Sequence, residues 1–331
     1  MSTAARRVVL GVDGGGTRSR AVLVTEDGAV IGAGTAAGAN VHDVGAEEVG
    51  RQLAVAAALA WEVAGTSPRL LAAACFALAG LVTDHDRALA REAIGYARLL
   101  SPDAPVMVDN DGAAAVAGAH LGGSGLVLIS GTGSACYGRG DDGSAWRSSG
   151  WGPWMGDEGS GTWIGREGLT AVVKARDGRG PPTELTERLL AATGCGEADD
   201  LMYRVYVLGL DRRATAGLAP EVLAAAATGD VVADDILRRA VEHLLDAVEA
   251  CRAALLLERP PLALTGGVAL AMRERIEAAL GARQVAVDLV DARLLPPLGA
   301  ALLALEQLGP VSAPVTEALQ RTRDRWQRVL V

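Results

Sequence analysis

The chain has 331 residues, half of them hydrophobic, and is longer than one hydrophobic core usually sustains, so we expect two domains with a cleft between them. A net charge of −9 argues against nucleic acid or an anionic membrane as a partner. No apolar run reaches about 18 residues, and Met1–Arg7 has no apolar leader core, which predicts a cytoplasmic protein.

The basic residues exclude several kinds of phosphate and cofactor site. Of the 31 basic residues only Lys174 is a lysine, and it lies outside every glycine-rich segment. A Walker A loop, a protein kinase and a pyridoxal enzyme each need a lysine at a defined place. Any phosphate must therefore be bound by backbone amides, hydroxyl groups, arginines or a metal ion.

The first predicted strands form a hairpin around a glycine-rich loop. Val8–Val12 is a predicted strand that ends at Asp13, and it is followed by the loop 14–17. Arg20–Thr25 and Ala29–Ala33 are the next two predicted strands, joined by a tight turn. This order indicates a three-stranded antiparallel segment.

The same order of elements recurs later in the chain. Leu126–Ile129 is a predicted strand, residues 130–134 are glycine-rich, and the strands Ala135–Gly138 and Ser144–Arg147 follow. In both copies the loop threonine precedes the turn aspartate by ten residues, from 17 to 27 and from 132 to 142. The repeat predicts a duplicated fold.

The remaining elements alternate between strand and helix and predict an α/β architecture. We expect domains at residues 1–117 and 118–311, and a C-terminal helix, residues 312–331, that packs back on the first domain. The predicted helices are Ala46–Ala64, Asp84–Leu99, Val231–Leu257, Val268–Leu280, Pro296–Leu308 and Val315–Leu330, and the predicted strands are Leu71–Leu78, Val106–Val108, Leu262–Thr265 and Gln284–Leu289.

The first loop has the composition of a phosphate-binding loop. Gly14, Gly15 and Gly16 allow positive φ angles and a close approach of several amides to one ligand. Thr17 adds a hydroxyl donor, and Asp13 can hold Mg²⁺ through water. The alternative is an ordinary hairpin turn.

Two further glycine segments follow buried strands. Gly131, Thr132 and Gly133 offer amides and a hydroxyl like the first loop, but without the acid. Gly266 and Gly267 open a predicted helix, where they leave either a flat surface for adenine or ribose, or room for close helix–strand packing.

Asp111 ends a predicted strand and is a candidate catalytic base. In phosphoryl transfer an aspartate orients the attacking hydroxyl and accepts its proton. Asp111 also precedes a predicted helix, where aspartate is a favoured N-cap, and Asp109 is a competing candidate. The local sequence leaves these alternatives open.

Tryptophans and acidic residues cluster after the second hairpin. Four of the six tryptophans lie here, namely Trp146, Trp151, Trp154 and Trp163. Aromatic rings beside the carboxylates of Asp157 and Glu158 suit a pyranose. Alternatively, Trp146 and Trp163 form a structural plug, and the two acids charge the first turn of a helix.

Together these motifs resemble the BadF/BadG/BcrA/BcrD-type ATPase family, and in particular its N-acetylglucosamine kinase branch in the actin/hexokinase/Hsp70 superfamily. The matching segments run in order from about residue 8 to 305, and include Gly11–Thr17, Asn110-Asp111, 130–134, 150–152, 156–160 and Thr265–Gly267. The resemblance implies duplicated ribonuclease H-like domains with a central cleft. It also implies ATP, Mg²⁺ and a homodimer.

The resemblance further assigns roles to individual residues. The first glycine loop and the 130–134 loop hold the phosphates of ATP, and Gly266-Gly267 supports the adenosine. Asp111 takes the place of the catalytic base. Asn40, Thr132, Trp151 and Asp157 take positions that contact the sugar; the residues alone leave Asn40 open as a loop or cap position. The chain departs from the family pattern at Trp154, Thr162 and Arg18.

The leading hypothesis is ATP-dependent phosphorylation of an amino sugar, N-acetylglucosamine or glucosamine, to its 6-phosphate. A second hypothesis is an ATPase activator of a radical dehydratase, whose [4Fe–4S] cluster would be held at a dimer interface by Cys136 and Cys195. The four cysteines have no cluster or disulfide spacing and are otherwise expected in the core. A third is a non-catalytic sugar or nucleotide sensor.

Overall fold

The structure is a computed structural model that describes residues 6–16, 18–68, 71–97, 99 and 103–330. The described chain divides into two units. The first contains the residues up to Gly125 together with those from Asp291 onward, and the second contains Leu126–Val290.

The first unit is built on a five-stranded sheet of order β3-β2-β1-β4-β5. β1, β2 and β3 are antiparallel neighbours, whereas β4 and β5 run parallel to β1. The strands are β1 (Val8–Gly14), β2 (Arg18–Thr25), β3 (Val30–Ala37), β4 (Ala73–Leu78) and β5 (Val106–Asn110). The helices are α1 (Val41–Val44), α2 (Ala46–Ala64), α3 (Asp84–Ala97), α4 (Asp111–His120), α13 (Pro296–Glu306) and α14 (Ala313–Leu330).

Side chains of β1 alternate between two hydrophobic cores because successive residues of a strand point to opposite faces. Leu10 and Val12 pack into a core shared with α2 and α3. Val9 packs into a second core shared with α4, α13 and α14. The sheet therefore lies between two layers of helices, which explains why β1 is apolar on both faces up to Asp13 near its end.

Glycines allow α13 to lie directly on β1 and α4. A Cβ on Gly11 would come within 2.6 Å of the carbonyl oxygen of Pro297, and one on Gly299 would come within 2.6 Å of the amide nitrogen of Gly118. Residues 118–125 and 291–311 therefore belong to the first unit, although the expected ranges put them in the second domain. The reason is this backbone-to-backbone packing, which the hydrophobic pattern does not reveal.

The C-terminal helix α14 packs on β3 and the turn before it. A Cβ on Gly28 would lie 2.5 Å from the carbonyl oxygen of Val315, and Leu319 and Trp326 are buried in the same core as Val9.

The second unit repeats the topology of the first. Its sheet has the order β10-β9-β6-β7-β8, in which β6 takes the central place of β1. β9 and β10 are parallel to their neighbours, and β7 and β8 are antiparallel. The predicted duplicated α/β fold is therefore confirmed. The strands are β6 (Gly125–Ser130), β7 (Ser134–Arg139), β8 (Ala145–Ser149), β9 (Pro261–Thr265) and β10 (Asp288–Val290).

The helices of the second unit cover its sheet and form one core with it. Leu126 and Leu128 of β6 and Leu262 of β9 are fully buried in this core. The helices are α5 (Gly161–Arg176), α6 (Leu185–Thr193), α7 (Asp200–Tyr206), α8 (Arg212–Ala216), α9 (Ala219–Ala227), α10 (Val231–Ala254), α11 (Gly267–Ala271) and α12 (Arg273–Ala282). In the described part of the chain no single helix could cross a membrane, although the bent pair Arg212–Ala227 and Val231–Ala254 is long and apolar enough.

Two predicted elements near the end of the second unit are wrong in detail. The predicted helix Val268–Leu280 is broken at Met272, whose side chain is buried. The predicted strand Gln284–Leu289 is shortened and shifted to β10. Gln284 has a left-handed φ of 54°, and the amide of Val287 donates back to the carbonyl of Val285 at 2.9 Å, so the chain is not extended before Asp288.

Candidate functional site

Several of the predicted site residues of the first unit meet at one edge of its sheet. β1, β4 and β5 are parallel, so their carboxyl ends share this edge. Gly14 of β1 is in register with Leu78 of β4, and Leu78 with Asn110 of β5. Asp111 therefore lies one residue beyond the row that contains the first glycine of the loop, two strand spacings or about 10 Å away along the sheet.

The first glycine loop is a backbone-bonded turn. The amide of Gly15 donates to the carbonyl of Arg18 at 2.9 Å, and the carbonyl of Gly15 accepts from the amide of Ala39 at 3.0 Å. Gly14 and Gly15 do not use the left-handed φ angles that glycine allows. A side chain at Gly14 is excluded by packing, because its Cβ would lie 2.5 Å from Leu78 Cδ2.

The two remaining residues of this loop are less informative. Gly16 is exposed, and Thr17 lies outside the described residues. Their predicted contacts with phosphate therefore stay predictions.

Asp13 is a buried carboxylate at the base of the first loop. Its Oδ2 accepts a hydrogen bond of 3.2 Å from Nη1 of Arg20, the residue opposite it on β2. Burial raises the pKa of the Asp13 carboxyl above its usual 3.8, and the charge and hydrogen bond of Arg20 partly offset this. Among the described residues no group of three or more His, Cys, Asp or Glu side chains is placed to hold a metal ion.

The helix after β5 begins at Asp111, and its N-cap is Asn110. The side chain of Asn110 accepts from the amide of Gly112 at 2.7 Å, so the capping role considered for Asp111 is wrong. Oδ1 of Asp109 accepts from the amide of its neighbour Asn110 at 2.8 Å. Asp109 thus has a local structural role, and Asp111 lies in the first turn of α4.

Asn40 lies at the same edge of the sheet and caps a short helix. Its Oδ1 accepts from the amide of His42 at 3.0 Å. A Cβ on Gly80, which follows β4 with a φ of 87°, would lie 2.8 Å from this oxygen. The cap interpretation of Asn40 is therefore confirmed, and its predicted contact with a sugar stays a prediction.

In the second unit, two glycine segments meet at the carboxyl ends of adjacent parallel strands. Ile129 of β6 is in register with Thr265 of β9, so the loop 130–134 and Gly266 follow neighbouring strand ends. Gly266 has a φ of 90°, and a Cβ on it would collide with the backbone carbonyl of Ser130. Both reasons require glycine at this position, whereas a Cβ on Gly267 would meet nothing within 4 Å.

The second glycine loop has open backbone donors. The amide of Gly131 donates to the carbonyl of Gly133 at 2.9 Å, which closes the loop into a tight turn. Within the described residues, the amides of Thr132 and Gly133 have no protein acceptor. Adjacent amides of this kind form a site for an anion such as a phosphate.

Residues 157–162 hold the second glycine loop in position through hydrogen bonds. The Ser130 hydroxyl donates to the carbonyl of Gly159 at 2.8 Å, and the Ser134 hydroxyl donates to that of Glu158 at 2.7 Å. The amide of Gly161, the first residue of α5, donates to the carbonyl of Gly131 at 2.8 Å. The N-terminus of α5 is therefore used to hold the loop in position.

Asp157 lies beside the same loop and forms an ion pair that the sequence analysis did not anticipate. It is buried and has a left-handed φ of 60°, and Nη2 of Arg212 donates to its Oδ2 at 2.5 Å. Arg212 begins α8, more than fifty residues later in the chain, as the separation of 55 shows. The only indication of this role in the sequence was that residue 212 is an arginine, because this chain depends on arginines to bind phosphate or carboxylate groups.

The tryptophans differ in exposure. Trp163 is buried and packs edge-on against His243, with ring centroids 5.4 Å apart, which agrees with a structural plug. Trp146 is 53% exposed and so is not part of a plug. Trp151 is 58% exposed, with the Arg147 guanidinium 4.7 Å above its ring. Trp154 is 95% exposed and open to a ligand or to solvent.

Known proteins resemble this chain over most of its length. An N-acetylmuramic acid/N-acetylglucosamine kinase of Clostridium acetobutylicum is 33% identical over 79% of this chain and 85% of its own. An N-acetyl-D-glucosamine kinase of Dictyostelium discoideum is 29% identical over 91% of this chain and 98% of its own. A solved structure of a proposed N-acetylglucosamine kinase from Chromobacterium violaceum has a TM-score of 0.75 and 30% identity, covering 91% of this chain and all of the other.

The family model that matches this chain agrees with the sequence motifs. The model of the BadF/BadG/BcrA/BcrD ATPase family matches residues 10–304, which span both sheets and both glycine loops. The chain therefore belongs to the BadF/BadG/BcrA/BcrD ATPase family.

Proposed function

We propose that this protein is an ATP-dependent kinase that transfers a phosphoryl group to hydroxyl 6 of an amino sugar, N-acetylglucosamine or glucosamine. The observation that carries the proposal is the second glycine loop, where the open amides of Thr132 and Gly133 lie beside the buried carboxylate of Asp157. This arrangement offers donors for phosphate and an acceptor for sugar hydroxyls. The kinase activities named for the relatives support the same reaction.

The nucleotide is held by backbone groups of both glycine loops. Thr132 and Gly133 bind phosphate oxygens. Gly266 and Gly267 leave a surface without side chains for the adenosine, and a Cβ on Gly267 would meet nothing within 4 Å. Gly14, Gly15, Gly16 and Thr17 contribute the first loop. Asp13 would hold Mg²⁺, which would supply positive charge opposite the transferred phosphoryl group.

The sugar is held by side chains, and one of them activates it. Asp111 accepts the proton of the attacking hydroxyl as the bond to phosphorus forms. Asn40, Thr132, Trp151 and Asp157 contact the sugar. Homodimer formation and a cytoplasmic location are parts of the same proposal.

The ATPase-activator hypothesis finds no support in the cysteines. Cys136 is fully buried in the core of the second unit beside Cys251, and burial raises its thiol pKa. A fully buried thiol such as Cys136 is not available to a cluster at a subunit interface, and Cys195, which is partly buried against the same core, is then left without the second cysteine of the hypothesis. The kinase hypothesis is therefore the one we retain.

The proposal is tested by measuring ADP release with N-acetylglucosamine, glucosamine, N-acetylmuramic acid and glucose. We expect release that depends on an amino sugar, and a product whose phosphate is on oxygen 6 by ³¹P and proton NMR. ADP release at the same rate with and without every sugar would indicate a plain ATPase, and binding without release would indicate a sensor.

A further inference from the structure

The ion pair between Asp157 and Arg212 joins a buried group to a half-exposed one. The side chain of Asp157 is 4% exposed, whereas that of Arg212 is 44% exposed. Arg212 is the only cation paired with Asp157 in the part of the chain that the structure describes. A buried carboxylate that loses its only cationic partner keeps the cost of leaving water without the compensating attraction.

Arg212 is fixed in place by its own backbone. The Thr162 hydroxyl lies 2.6 Å from the carbonyl oxygen of Thr132 and 3.2 Å from that of Arg212, so it links α8 to the second glycine loop. A Cβ on Gly161 would lie 3.2 Å from the carbonyl oxygen of Ala216, which shows how closely α8 packs on α5. The guanidinium is therefore presented to Asp157 from a fixed element.

The ion pair also fills the space beside the glycine loop. A Cβ on Gly133 would lie 2.9 Å from Oδ2 of Asp157, and it would collide with the guanidinium of Arg212. Because residue 133 is a glycine, the Asp157–Arg212 ion pair can pack directly against the loop. Oδ2 of Asp157 is the oxygen that accepts from Arg212, so we expect Oδ1 to be the one that accepts from a ligand hydroxyl.

We infer that Arg212 is a positioning residue for substrate binding, which holds the Asp157 carboxylate in the orientation that accepts a sugar hydroxyl. The inference rests on the proposed function, in which Asp157 contacts the sugar. We expect Arg212 to act through Asp157 and not through the reacting phosphate or the attacking oxygen. Its loss should therefore affect the sugar and not ATP.

The test compares Arg212→Gln with Arg213→Gln, a matched control that removes the neighbouring exposed arginine of the same helix. We expect the KM for the amino sugar to rise about tenfold in Arg212→Gln, a loss of about 1.4 kcal/mol, with the KM for ATP unchanged. Arg212→Lys should recover part of the loss. In an Asp157→Asn background the further change Arg212→Gln should have little effect, since its partner is already removed.

Three results would overturn the inference. The first is a raised KM for ATP with an unchanged KM for the sugar, the second is an equal effect of Arg213→Gln, and the third is full additivity with Asp157→Asn. Hydrogen exchange of the unliganded protein gives a readout that needs no activity. Arg212→Gln should raise exchange in peptides covering residues 156–162 and Arg213→Gln should not. If the wild-type protein phosphorylates no sugar, the proposed function fails, and this exchange result alone decides whether Arg212 positions Asp157.

Discussion

Asp109 and Asp111 lie two residues apart, and the structure shows a local role for the first of them. Oδ1 of Asp109 accepts from the amide of Asn110 and the side chain of Asn110 caps α4, whereas Asp111 lies in the first turn of that helix. We expect Asp111→Asn to lower kcat at least about a hundredfold while ATP still binds, because the variant keeps its shape but accepts no proton. ADP release and isothermal titration with a non-hydrolysable ATP analogue measure the two effects.

Asp109→Asn is the matched control for this prediction. It makes the same aspartate-to-asparagine change two residues earlier, at the same edge of the sheet, and we expect most of the activity to remain. A loss of activity in Asp109→Asn as large as in Asp111→Asn would contradict the assignment of the base.

Asp13 makes the stability of the first unit depend on pH. Burial raises the pKa of its carboxyl above 3.8, so the folded protein keeps this proton to a higher pH than the unfolded chain does. The contribution of Asp13 to the free energy of unfolding therefore falls as pH rises from 3.8 through the raised pKa. In Asp13→Asn this part of the decline should be absent, which urea denaturation between about pH 4 and 8 measures.

Asp27 provides a comparison of opposite sign. A hydrogen bond from the Thr25 hydroxyl lowers the pKa of Asp27 below 3.8, so its contribution to stability is present above 3.8 and is lost as pH falls through the lowered pKa. Asp27→Asn should therefore reduce the free energy of unfolding at neutral pH.

The prediction for Asp13 has its own contradicting outcome. An identical pH dependence of the free energy of unfolding in the wild type and in Asp13→Asn would show that Asp13 ionises equally in the folded and unfolded states.

At the scale of elements, the end of β9 combines a strained backbone with a close contact. Gly266 has a φ of 90° and has no room for a Cβ beside Ser130. Gly266→Ala should therefore lower the free energy of unfolding by about 2 kcal/mol or more, and also raise the KM for ATP, since it moves the second glycine loop. Gly267→Ala, one residue on and without a close contact, should leave the free energy of unfolding nearly unchanged. Equal effects of the two substitutions on the free energy of unfolding, measured by urea denaturation, would contradict this account.

The sequence predicted the hairpins well, and predicted less well where backbone contacts decide the structure. The apolar runs of β1 and β6 and their glycine loops are local patterns, so both were located correctly. Residues 284–287 look like a strand because they place valines in the core, but Gln284 turns the chain. Arg212 could not be assigned, because its contact with Asp157 joins residues 55 apart and depends on the fold of α5 and α8.

At the scale of the whole molecule, each unit has the same strand order, but only the second is continuous in sequence. The first unit needs α13, because Gly11 of β1 and Gly118 of α4 are packed against its backbone. The expected domain boundary at residue 311 and the observed one at Asp291 therefore make different predictions for a shortened chain.

Two truncations separate these alternatives. A chain that ends before Asp291 should not fold its first unit, because β1 and β4 would lose the helix that covers one face. A chain that ends before Ala313 removes only α14, so it should fold and lose a few kcal/mol at most, at about 1.5–3 kcal/mol for each buried side chain such as Leu319. Circular dichroism and urea denaturation of both chains give the result. A cooperative unfolding transition of wild-type amplitude in the chain that ends before Asp291 would show that residues 291–311 do not belong to the first folding unit.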